Sequence, residues 1–126
     1  MRLDARRDDG AGAIVVIAMS GIVVVAFVIA LLVTDLLSAR ARAAAAADLG
    51  ALAGAPAAAS RADDEACATA AWVVHQNDAT LRACTVIDLD ISVTASARPK
   101  ALWSRWLSAL AAGSPEPQVT ARAGLR

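Results

Sequence analysis

The sequence predicts an α+β protein: one N-terminal transmembrane helix extended as a stalk, then a small extracytoplasmic domain with a helix and an antiparallel two-stranded β unit. Three observations carry that expectation. A charge-free apolar run fills positions 11–33, an alanine-rich stretch follows it without Gly or Pro before Gly50, and a strictly alternating segment at 86–97 comes after the second of two cysteines. The matching division is a cytoplasmic leader at 1–10, a transmembrane helix at 11–33, a stalk helix and linker at 34–60, and a small domain at 61–126.

The run from Ala11 to Val33 holds 23 residues, among them Ile14, Val15, Val16, Ile17, Ile22, Val23, Val24, Val25, Phe27, Val28, Ile29, Leu31 and Leu32. As a helix rising 1.5 Å per residue it is ~34 Å long, enough for a hydrocarbon core ~30 Å thick. Its large side chains fall on every side. A helix apolar all round needs lipid or a large protein core, and a chain of 126 residues that spends a third of its length on an anchor has no such core to offer. A cleavable signal peptide is the competing reading, with Ala39-Arg40-Ala41 as the small-x-small site. The run is longer than the ~7 to 15 residues of a signal-peptide core.

Composition narrows the function classes. Hydrophobic residues make up 58% of the chain, but much of that share is alanine, so the placement of the large side chains decides the membrane reading rather than the total. Twelve basic and twelve acidic residues cancel, which leaves no basic footprint for nucleic acid. Arg2, Arg6 and Arg7 before the span, against Arg40 and Arg42 after it, favour a cytoplasmic N-terminus. Asp35 reads as a marker of the lipid boundary.

Beyond the span, Thr34 to Leu52 continues as helix on alanine and leucine. Gly50, Gly54 and Pro56 predict a break, with Ala55 to Ser60 as a flexible connector. A second helix is expected from Ser60, with Asp63 at capping-box spacing and Asp63, Asp64 and Glu65 in the dipole-favoured first turn. Its apolar stripe is Cys67, Ala70, Ala71 and Val74, and it ends near Asn77 and Asp78. From Val86 to Ala97, Ile87, Leu89, Ile91, Val93, Ala95 and Ala97 alternate with polar residues, the pattern of one strand with one buried face. A weaker alternation, Val119, Ala121 and Ala123, predicts a second strand antiparallel to the first, with Pro99, Pro115 and Pro117 bounding the connection.

Between these strands Leu102, Trp103, Trp106, Leu107 and Leu110 recur at helical spacing. Two indoles on a short amphipathic helix suit a membrane interface or a partner surface, and Trp103, Trp106, Leu107 and Leu110 are the candidate interface residues; packing on the sheet is the competing role. Cys67 and Cys84, the only cysteines, are expected to form a disulfide if the domain lies in an oxidising compartment; two separate buried thiols are the alternative. Closing that loop stabilises a small domain by ~3 kcal/mol. Neither a metal nor a cofactor is expected. Only His75 is available to join the cysteines, short of the four ligands of a structural zinc site, and no serine or acid stands at triad spacing from it. Gly50 to Gly54 lacks the lysine of a phosphate loop. No catalytic residue is expected, and the chain reads as a non-enzyme.

Several segments resemble the TadE-like proteins of actinobacteria, relatives of the minor pilins of tight-adherence (Flp) pilus and secretion systems. They are Arg7-Asp8-Asp9-Gly10-Ala11-Gly12-Ala13 entering the span, Ser38 to Ala53 after it with Ala46-Ala47-Asp48-Leu49 at its centre, the pair Ala66-Cys67-Ala68 and Ala83-Cys84, and the closing Val119-Thr120-Ala121-Arg122-Ala123-Gly124. The resemblance implies a single-pass protein of the cell membrane, N-terminus in the cytoplasm and C-terminal domain outside it, with a structural role among other pilin-like or secretion-system membrane proteins. It also implies a leader-processing site between Gly10 and Ala11. The glutamate usual five residues after that glycine is Val15 here, which fits an anchor that stays in the membrane, since a carboxylate in lipid is costly without a partner. Small residues at Gly12, Ala13, Ser20, Gly21 and Ala26 have two readings that the sequence leaves open: close helix approach, and with it oligomeric association, or ordinary membrane-helix composition. A function of a different class is a membrane-attached or secreted binding module that contacts lipid or protein through the Trp103/Trp106 helix.

Overall fold

The computed structural model describes residues 9–100, 106 and 116–124. In chain order the elements are α1 (Asp9–Ala59), α2 (Asp63–Gln76), β1 (Thr80–Ile87), β2 (Asp90–Ser96) and β3 (Gln118–Gly124). The chain divides into two compact units, Met1–Thr34 and Asp35–Arg126. In the first, the described residues are all helix, and every side chain from Ile14 to Val25 lies open. The second, the head, is the α+β part.

The head core is built mainly from alanine. Ala39, Ala43, Ala46, Ala47, Ala51 and Ala58 of α1, Ala66, Ala70 and Val74 of α2, and Ile91, Val93 and Ala95 of β2 are buried, and Ala121 of β3 closes the set. On α1 these positions recur at three- and four-residue steps, so they line one face of the helix. Gly50 and Gly54 fall on the same face. A Cβ at Gly54 would lie 2.5 Å from Ile91 Cδ1 and 2.7 Å from the Ala66 carbonyl oxygen; at Gly50 it would lie 2.9 Å from Val74 Cγ2 and 3.3 Å from the Ala70 oxygen. The two glycines therefore let α1 lie against the backbone of α2, and the break expected at Gly50, Gly54 and Pro56 does not occur. Helix α1 instead runs to Ala59, with Pro56 exposed on its outer side one turn before the end.

The real terminus is a Schellman turn. The Ala62 amide donates to the Ala57 oxygen (2.9 Å) and the Arg61 amide to the Ala58 oxygen (3.0 Å), with Arg61 in the left-handed region at φ 60°. Ser60, expected to cap α2, donates its hydroxyl back to the Pro56 and Ala57 oxygens (3.2 and 3.0 Å). Helix α2 starts after Ala62 with no side-chain cap; Asp63, Asp64 and Glu65 do occupy its first turn. At the other end the Asn77 side-chain amide donates to the Val73 oxygen (2.8 Å). The buried stripe of α2 is Ala66, Ala70 and Val74, with Cys67 and Ala71 half-buried beside it.

The sheet corrects the two-stranded expectation. It has three antiparallel strands in the order β1-β2-β3. The segment read as one strand from Val86 to Ala97 is a hairpin: Ile87 pairs with Asp90, and Asp88 and Leu89 form a two-residue loop with φ 51° and 77°. Positive φ at both loop positions is the type I′ arrangement, which Asn-Gly normally announces and Asp-Leu does not. The chain reversal resets the parity. Ile87 and Leu89 are exposed, while Ile91, Val93 and Ala95 keep the expected buried face. The expected pairing of the alternating segment with 119–123 is present as β2 with β3, Val93 opposite Ala121 and Ala95 opposite Val119. On the outer face the Thr94 and Thr120 hydroxyls hydrogen-bond across the strands at 2.8 Å.

Candidate functional site

The feature most able to do something is the apolar surface of the first unit. Ile14, Ile17, Ile22, Val23 and Phe27 are each at least 64% exposed, although side chains of this kind are normally the first to be buried. Helix α1 contains a stretch of mean hydropathy 3.1, none of it buried within the protein. Two hydroxyls interrupt the carbon surface, and both are satisfied inside the helix. Ser20 Oγ donates to the Val16 oxygen at 2.8 Å and Thr34 Oγ1 to the Ala30 oxygen at 2.9 Å. Lipid demands such internal pairing, because it has no hydrogen bond to give in exchange. By length and composition the segment is a candidate membrane span, and membrane association is the functional consequence that its chemistry supports.

Gly10 and Ala11 lie in the first turns of α1, exposed. Asp35, half-buried, is the first charge after the apolar segment. Ala39 to Ala41 lie inside α1, with Ala39 fully buried in the head.

In the head, Cys67 and Cys84 are joined, Cα to Cα 5.8 Å, closing a loop of 17 residues between α2 and β1. Cys84 lies inside β1 rather than before it, facing inward across from Val93. The bond thus ties α2 to the sheet. A second tie comes from a bulge the sequence reading missed. The β1–β2 register shifts between Leu81 and Ala83, and a bulge re-aims a side chain. Arg82, the intervening residue, donates its Nε to Ser96 Oγ at 2.8 Å and pairs through Nη2 with Glu116. Ser96, buried, donates in turn to Glu116 Oε2 at 3.2 Å, and Arg98 pairs with the other carboxylate oxygen. The Arg98 hydrogen bond, helped by those of Arg82 and Ser96 against a smaller desolvation effect, holds the Glu116 carboxyl below its ordinary range. This network joins the start of β1, the end of β2 and the segment entering β3. No local pattern flags it, because its members are up to 34 residues apart.

The remaining candidates separate. Trp106 is helical and 78% exposed, whereas Trp103, Leu107 and Leu110 lie outside the described residues. Trp72, not singled out by the sequence, is 65% exposed on α2, off the stripe of Ala66, Ala70 and Val74. His75 is exposed in the last turn of α2. Among the described residues no group of three or more His, Cys, Asp or Glu is placed to hold a metal ion. A shallow cavity of about 420 Å³ at the hairpin end of the head is lined by Ala58, Arg61, Asp63, Val86, Asp88 and Leu89. Comparison with family models, curated proteins and solved structures returns no match to this chain.

Proposed function

We propose that this chain is a structural, non-enzymatic membrane subunit of the TadE-like kind: α1 anchors it in the cell membrane, and the head stands outside the cytoplasm as part of a pilus-like or secretion apparatus. The observation that carries the anchor is the apolar surface of Ile14 to Leu31, exposed at every position, with the Ser20 and Thr34 hydroxyls bonded to their own helix. The Cys67–Cys84 bond supports an oxidising compartment for the head, since such bonds persist outside the cytosol. With the head outside, the leader arginines are on the cytoplasmic side, in line with the positive-inside rule. The apparatus itself rests on the resemblance of the segments around the span and the cysteines.

The test is gentle solubilisation of membranes that contain the full chain, followed by native mass measurement and identification of what copurifies. Other membrane proteins of one assembly are expected in the complex. Recovery only as a lone monomer refutes the structural-subunit reading. The intact mass also reports the leader: a start at Met1 means an uncleaved anchor, a start at Ala11 means pilin-like processing.

The exposure of Trp106 favours a second reading, a binding module that touches lipid or protein through the Trp103/Trp106 helix. Replacing both tryptophans by alanine separates the two. A folded head that has lost one association supports the binding module; an unfolded head assigns the indoles to the core.

A further inference from the structure

The charges of the head are sorted by end. Helix α1 enters the head near Arg40 and Arg42 and leaves at Ala58. Helix α2 and strand β2 run back, so Asp78, Arg82, Arg98, Lys100 and Glu116 share the Arg42 end. Contacts confirm the grouping: Arg42 Nη2 donates to the Arg98 carbonyl oxygen at 3.4 Å, and Lys100 Nζ reaches Asp78 Oδ2 at 2.7 Å. Among the described residues this end carries Arg40, Arg42, Arg82, Arg98 and Lys100 against Asp35, Asp78 and Glu116, with Asp48 farther along α1. The opposite end, around the hairpin and the start of α2, carries Asp63, Asp64, Glu65, Asp88 and Asp90 against Arg61 and Arg122. One end is net positive and the other net negative.

Among the described residues neither Arg40 nor Arg42 forms a close ion pair: Arg42 donates to the Ser38 and Arg98 carbonyl oxygens, and its charge reaches the Asp78 carboxylate only at longer range. Arg98 and Lys100 do have partners, but their side chains remain 83% and 62% exposed, so each keeps donors for a further anion. In sequence Arg40 and Arg42 come only seven and nine residues after Val33, the last residue of the apolar run. Cations that close in sequence to a span come within reach of the lipid phosphates of the leaflet on their own side.

We propose that Arg40, Arg42, Arg98 and Lys100 form a binding surface for the phosphate groups of anionic phospholipids. This rests on α1 being a membrane span. Guanidinium groups suit the role because their planar fork matches two phosphate oxygens at once.

Lys100 is the only lysine in the chain, which provides a direct probe. The full chain is placed in nanodiscs of phosphatidylcholine alone or with a third phosphatidylglycerol, and acylation of Lys100 by a water-soluble amine reagent is followed by peptide mass. A surface potential of about −30 to −50 mV depletes a singly anionic water-soluble reagent near the surface by its Boltzmann factor, which predicts acylation roughly threefold to sevenfold slower in the anionic discs. The difference should vanish in 1 M NaCl, where the Debye length is about 3 Å. It should also fall below twofold in the R40Q/R42Q protein. Equal rates in both discs, or full protection in R40Q/R42Q, overturn the proposal. Protection in neutral discs by 10 mM inorganic phosphate would assign the cluster to a soluble anion and overturn it too. Co-elution of the protein with the discs is the separate readout for the span. If the protein elutes apart from both kinds of disc, the membrane reading fails first.

Discussion

Replacing Gly54 by alanine decides between two roles for the same glycine, and the two roles predict opposite signs. As a flexible break, Gly54→Ala stabilises, since alanine is about 1 kcal/mol better than glycine inside a helix. As a point of close approach, it destabilises. The added methyl would lie 2.7 Å from the Ala66 carbonyl oxygen and 2.5 Å from Ile91 Cδ1, against roughly 3.4 Å for ordinary contact. Ile91 has a side chain that can rotate, but Ala66 offers backbone, so α1 and α2 must part by several tenths of an ångström along a face of alanines that has little slack. Overpacking of this kind costs about 1–3 kcal/mol. After the gain of about 1 kcal/mol in helix propensity, the net loss is about 0–2 kcal/mol. For a head of this size, with a urea slope near 1 kcal/mol/M, the midpoint falls by up to about 2 M. The assay is urea unfolding of the full chain in detergent micelles, followed by near-ultraviolet circular dichroism. Gly21→Ala serves as the control, because nothing lies within 4 Å of a Cβ there. A midpoint for Gly54→Ala above that of the unmodified chain, toward the rise of about 1 M that a flexible break predicts, refutes the α1–α2 packing described above.

Reducing the Cys67–Cys84 bond should cost about 3 kcal/mol, since it frees a loop of 17 residues; equal urea midpoints with and without a reductant would contradict this. Arg61→Gly should stabilise by about 0.5–1 kcal/mol, because glycine adopts the left-handed Schellman position without the Cβ penalty that arginine meets at φ 60°, and a lower melting temperature would count against that turn. Glu116 titrates below its ordinary range in the folded state, so it contributes stability that is present above the unfolded carboxyl range near pH 4.5 and lost as pH falls through the lower folded value. The stability difference between the native chain and Glu116→Gln should therefore be largest near neutral pH and shrink below about pH 4. A difference independent of pH would mean that the Arg82, Arg98 and Ser96 contacts do not act through the carboxylate.

Much of this architecture was legible because it is local. The apolar run declares itself by length and the lack of charge, the helix after it by alanine, and the inward faces of β2 and β3 by their period of two at Ile91, Val93 and Ala95 and at Val119, Ala121 and Ala123. The two cysteines signalled their bond by being the only pair in a domain with little else to bury. What the sequence misread depends on what each residue meets across the fold. Gly50 and Gly54 look like breakers until α2, a dozen or more residues later, lies against them. Asp88 and Leu89 look like strand because the hydrophobic period runs unbroken through them, and only the pairing of Ile87 with Asp90 turns them into a loop. Ser60 looks like an N-cap for α2, but the carbonyls of the preceding helix are nearer.

The sequence by itself determined that this chain carries a segment more stable in oil than in water, and which side chains of its later strands face inward. Free energy of transfer and backbone periodicity act on neighbours along the chain, so a string of letters is enough to read them. The tertiary structure alone decided how closely the two helices approach, where the sheet turns, which cations share Glu116, and that the head has a positive and a negative end. Those are distances between residues tens of positions apart, and no local pattern records them.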